Sequence, residues 1–116
     1  MQTTDVWAFR DPTWISADPT GFEVEAVDGD VGKVDDCSRE MAAGHVVVDT
    51  GPWIFGKKVM LPAGVIRDVD FDGQKVFVDR AKDEIKSAPE FVEGAHEDAA
   101  YRTELGRYYG EPGNQL

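Results

Sequence analysis

Between Phe22 and Arg80 the chain is a series of short β-type segments separated by glycine-bearing turns, and this series leaves room for little except a small β fold. Phe22, Val24 and Ala26 alternate with Glu23 and Glu25, the period of a half-buried strand. Asp28-Gly29-Asp30 is expected to turn the chain, because Asp and Gly tolerate positive φ. Val31 to Cys37 then reads as the returning strand. His45-Val46-Val47-Val48 is a β-branched run suited to burial on both faces. Lys57 to Met60 begins another strand, ended by Leu61-Pro62. Val65 to Phe71 and Lys75 to Val78 flank Asp72-Gly73, a strong hairpin dipeptide. The count is about six short strands, as in a small closed or half-open barrel. Gly29 and Gly32 suit a turn entering a strongly curved strand, and Gly51 a bend before Pro52.

After Arg80 the period changes. Ala81 to Ala88 suits a short helix with Ile85 facing in, and Pro89 stops it. Glu93 to Asp98 reads as a polar connector. Ala99 to Tyr109 reads as a second helix carrying Tyr101, Leu105, Tyr108 and Tyr109 on one face. Gly110 and Pro112 end it. The organisation expected is an aromatic-containing extension over 1–20, a β domain over 21–91 and a helical extension over 92–116. Trp7, Phe9 and Trp14 are many large aromatics for so short an extension. They are expected to pack on the β domain as a strap, with an interface role as the alternative.

Composition narrows the partners. With 23 acidic and 12 basic residues the net charge is −11, so the counterion release that drives nucleic-acid binding has little to work with. Lys57-Lys58 is the largest basic cluster. No nucleic acid and no membrane span are expected. The sequence has no stretch of the ~18 apolar residues that crosses a bilayer, and Met1 to Arg10 is no secretory signal. The single cysteine, Cys37, fits a reducing compartment, and a cytoplasmic location is expected.

These segments resemble the PRC-barrel family. The resemblance lies in Gly29-Asp30-Val31-Gly32-Lys33-Val34, Val46-Val47-Val48-Asp49-Thr50-Gly51, Val59-Met60-Leu61-Pro62 and Val76-Phe77-Val78-Asp79, followed by the short helix and Ala88-Pro89-Glu90-Phe91. It covers roughly residues 20 to 91. It implies a six-stranded barrel-like fold without common catalytic residues, used in adaptors such as the soluble part of the photosynthetic reaction centre H subunit. The second domain of a ribosome maturation factor is another example. Stand-alone bacterial members are the better likeness, and neither specific role transfers.

Residues that could carry chemistry are few. Asp68-Val69-Asp70-Phe71-Asp72-Gly73 matches the opening of an EF-hand calcium loop, with Asp79 at its twelfth position. Its flanks read as strands, which favours a solvated acidic face ending in a hairpin. The Asp68–Asp72 face stands as the alternative, a small ligand- or ion-binding module. Gly29-Asp30-Val31-Gly32-Lys33 has the wrong spacing for a phosphate loop. Cys37, His45 and His96 are isolated in sequence. A Cys37–His45 nucleophile pair would need neighbouring strands and an activating context. No catalytic, metal or cofactor-binding residue is assigned, no cofactor is expected, and the chain is read as no enzyme.

The interaction site expected is Trp53, Ile54 and Phe55, within Pro52-Trp53-Ile54-Phe55-Gly56. Large apolar residues are not expected in a strand connection, and Trp and Phe favour interfaces. The reading from sequence is a non-enzymatic adaptor or scaffold that binds a protein partner. A homodimer through the tyrosine face of the last helix is a second mode of association.

Overall fold

The computed structural model describes residues 6, 7, 9, 14, 18–38, 44–51, 58–89, 91, 94 and 98–110. The protein is mainly β. Six strands form one mixed sheet: β1 (Glu23–Ala26), β2 (Gly29–Ser38), β3 (His45–Asp49), β4 (Lys58–Pro62), β5 (Ile66–Asp70) and β6 (Lys75–Val78). Two helices follow, α1 (Lys82–Ser87) and α2 (Ala99–Gly110). The spatial order is β4-β3-β2-β1-β6-β5. Every pairing is antiparallel except β1 with β6, which is parallel.

The sheet is not closed, because no ladder joins β4 to β5 among the described residues. It is nevertheless rolled. Flat, the two edge strands of six would stand about 24 Å apart at ~4.8 Å per strand. Yet β4 and β5 are joined by Ala63-Gly64-Val65 alone, a buried 3₁₀ turn, and such a turn rises only ~2 Å per residue. The bend is made in β2. Its first half pairs with β1 and its second half with β3, and Lys33 pairs with both Glu23 and Asp49. Register shifts at Val24/Glu25, Val34/Asp36 and Ile66/Asp68 supply bulges that increase local twist.

The concave side holds the core: Val24, Val31, Val34, Val46, Val48, Val59, Leu61, Val76 and Val78, closed by Ile85 of α1 and by Leu105 and Tyr109 of α2. The residues of β3 from His45 to Val48 are buried, as the β-branched run suggests. Val46 and Val48 face the core, whereas His45 faces Trp7, whose ring stands edge-on at 6.5 Å. The extension therefore packs on its own sheet. Gly64 N–H donates to the Val6 carbonyl at 2.7 Å, and Gly44 N–H donates to that of Trp7 at 2.8 Å. Phe9 and Trp14 also pack against the core.

The tyrosine face of α2 is likewise spent on its own chain. Leu105 and Tyr109 are buried, Tyr108 Oη donates to the Glu84 carbonyl at 2.6 Å, and Tyr101 Oη to that of Pro89 at 3.3 Å. Arg80 Nη2 donates at 2.6 Å to the Tyr109 carbonyl, satisfying an orphan acceptor at the helix end. Asp28 Oδ1 accepts the Lys82 N–H at 2.9 Å, tying the β1–β2 turn to the start of α1.

Two turns differ from expectation. Ala26 pairs with Gly29, so the first hairpin turns at Val27-Asp28, and Gly29 already belongs to β2. Between β5 and β6 the turn spans 71–74, and the left-handed residue is Gln74 at φ 57, not Gly73. The dipeptide Asp72-Gly73 signals the hairpin correctly but not its type.

Candidate interaction face

The pairing registers place one charged residue of each strand in a single row across the whole sheet. Lys58 lies opposite Asp49, Asp49 opposite Lys33, Lys33 opposite Glu23, Glu23 opposite Lys75, and Lys75 opposite Asp70. Directly paired residues project to the same face. Here that is the outer face, with all six side chains exposed or half-buried. Charge alternates at every step, so each residue has opposite charges as its nearest neighbours. Such pairs favour this register by roughly 0.2–1 kcal/mol each.

The direct ion pairs run off the row. Lys58 Nζ binds Asp35 Oδ2 at 2.8 Å, and Lys75 Nζ binds Glu25 Oε2 at 2.9 Å. The Glu25 carboxylate, hydrogen-bonded to Lys75, holds that ammonium above the ordinary lysine value. Between these two bridges lies an open cleft of about 300 Å³, lined by Glu23, Asp30, Gly32, Lys33, Asp49, Thr50 and Gly51.

Two glycines shape it. At Gly32 a Cβ would run into the Asp49 carbonyl oxygen and lie 3.0 Å from Thr50 Cα, so β2 and the end of β3 approach this closely only without a side chain there. Gly51 sits at φ 59, the left-handed region, and its N–H donates to Asp49 Oδ1 at 2.9 Å. This bend is the one expected before Pro52.

Trp53, Ile54 and Phe55 lie outside the described residues, as do Pro52, Lys57 and His96. What is placed is the stem of their connection: Asp49 and Lys58 face each other as the closing pair of the β3–β4 hairpin, at the rim of the cleft. Phe71, beside the last residue of the charge row, is 37% exposed and stands edge-on to Phe22 at 5.9 Å.

The other candidates are not brought together. Cys37 lies opposite Val46 and packs against the core, whereas His45 pairs with Ser38 and faces the other side of the sheet. Cys37 Sγ instead lies 3.7 Å from Asp18 Oδ1. Asp68 Oδ1 accepts the Val69 N–H at 2.9 Å, and Asp70 Oδ1 accepts the Gly73 N–H at 3.0 Å. Among the described residues no three His, Cys, Asp or Glu side chains gather so as to hold a metal ion. Nor is any helix there long and apolar enough to cross a membrane.

Sequence reading missed the charge row altogether. Its six members come from six segments, and only the register aligns them. The signal present in sequence was merely that Glu23, Asp49, Lys58, Asp70 and Lys75 are terminal strand residues, while Lys33 lies in the middle of β2. Comparison with known proteins gives no matching family model and no similar curated protein.

Proposed function

We propose that this chain is a non-enzymatic, cytoplasmic adaptor or scaffold of the PRC-barrel type, which contacts its partner through the sheet end carrying the β3–β4 connection. The observation that carries this reading is the fixed stem of that connection. The Asp49–Lys58 closing pair stands at the rim of a polar cleft, in line with a row of charges across the outer face, and the connection it closes carries Trp53, Ile54 and Phe55 in sequence. An apolar segment bordered by polar and charged groups is the anatomy of a binding surface, in which a few aromatics carry affinity and the rim carries specificity.

The test compares the wild type with the Trp53→Ala/Phe55→Ala variant in affinity capture from cell lysate, with thermal melts run in parallel. The expected result is loss of the captured protein from a variant that melts as the wild type does. Equal capture by both proteins overturns the assignment of this surface.

A further inference from the structure

The middle of the charge row, read from β3 to β6, is Asp49, Lys33, Glu23, Lys75. Its signs run −, +, −, +. Reversed, they run +, −, +, −, so the series is complementary to itself when turned end for end. We propose that this part of the outer face binds a second copy of the chain, about a two-fold axis passing between Lys33 and Glu23. The inference rests on reading this end of the sheet as a contact surface, and it names the partner.

The symmetry does the selecting. In an isologous contact each residue meets the residue related to it by the axis. Lys33 then meets Glu23 of the second copy, Asp49 meets its Lys75, and both pairs occur twice. A polycation on this face would be opposed by Lys33 and Lys75, and a polyanion by Asp49 and Glu23. A surface carrying the same alternating series satisfies all four, and a second copy supplies one.

Curvature confines the contact to these four positions, since the rolled sheet turns Lys58 and Asp70 away from the axis. Lys75 keeps its bond to Glu25 while reaching Asp49 of the second copy, because an ammonium has three donors. The net charge of −11 on each chain opposes association at long range. Near physiological salt, with a Debye length of about 8 Å, contact pairs are screened less than that repulsion.

The test is a charge swap read by sedimentation equilibrium from about 10 µM to about 1 mM, the range of weak association. The variants are Lys33→Glu and Glu23→Lys, with circular dichroism melts to establish that each is folded. Wild type is expected to move with concentration from the 12.8 kDa of one chain towards twice that mass. Each variant alone sets like charges across the axis and is expected to stay monomeric. Mixed in equal amounts, the two restore both Lys–Glu contacts, and a heterodimer is expected.

A monomeric wild type throughout the range overturns the proposal. So does a single variant that dimerises like the wild type, which places the contact elsewhere. A mixture that stays monomeric overturns the axis. None of these outcomes touches the Trp53/Phe55 experiment, so failure of the second-copy contact and failure of the adaptor reading are told apart.

Discussion

The Arg102 guanidinium carbon lies 5.0 Å from the centre of the Trp7 ring, so the first described turn of the chain and its last helix hold each other. That ring also stands edge-on to His45 and lies beside Gly106. Removing it by Trp7→Ala should cost about 2–3 kcal/mol of folding stability, less than a fully buried Trp because this one is half-buried. Urea unfolding at constant m-value measures it. A loss within experimental error would mean that the strap does not stabilise the fold.

Gly106→Ala sets two effects against each other. Alanine in a helix interior normally gains about 1 kcal/mol over glycine. Here the added Cβ would stand 2.8 Å from Trp7 Nε1, on a rigid ring with little room to give. The clash should win, making Gly106→Ala destabilising by about 1 kcal/mol. In the Trp7→Ala background the same change should become stabilising, a double-mutant cycle with a sign reversal.

Gly32→Ala is expected to be more damaging. The Asp49 carbonyl that its Cβ meets belongs to the backbone of β3, which cannot yield without disturbing the β2–β3 ladder. A loss of about 3 kcal/mol or more is expected from such overpacking. Thermal melting of Gly32→Ala beside Gly94→Ala, where no atom lies within 4 Å of the new Cβ, separates the clash from backbone cost.

The 3 tyrosines of the chain are Tyr101, Tyr108 and Tyr109, all on α2. Burial raises the pKa of each, that of Tyr101 to about 12, with Glu104 adding to Tyr101 and Glu84 to Tyr108. A phenol with a higher pKa folded than unfolded contributes stability that is complete below the unfolded value of about 10. That contribution is lost as pH rises through the folded value. Alkaline titration of tyrosinate absorbance should therefore show less ionisation at pH 10 than free tyrosine does, then a rise coinciding with helix loss by circular dichroism. Three ordinary midpoints near 10 would mean that α2 is not docked.

Two of these hydroxyls should respond oppositely to deletion. Tyr109 Oη is buried without a hydrogen-bond partner among the described residues, so Tyr109→Phe should be neutral or stabilising. Tyr108 Oη donates to the Glu84 carbonyl at 2.6 Å, and Tyr108→Phe should cost about 1 kcal/mol. Denaturant midpoints of the two variants decide it.

How far the sequence carries can be traced residue by residue. Lys75 to Val78 is a strand with the expected bounds, and Ile85 is buried as its helical phase predicts, because both signals are local. Gln74 is different. Its left-handed φ is imposed by the register between β5 and β6, whereas local preference favours Gly73. His45 reads as an isolated histidine, and its burial depends on Trp7, remote in sequence. Local pattern left a closed and a half-open barrel both open, because closure is not a local property. It depends on β4 meeting β5, and the structure joins them by a turn with no ladder among the described residues. The charge row was illegible for the same reason: Glu23 faces Lys75 only through a parallel pairing between remote segments.

That parallel pairing sets an order of events. The β2–β3–β4 meander can form from neighbouring segments, but β1 reaches β6 only after the chain between them has been gathered, a slow closure. Lys75 joins the row at that step and not before. A nascent or partly unfolded chain thus displays an incomplete charge pattern, and recognition through the row doubles as a check that folding has finished.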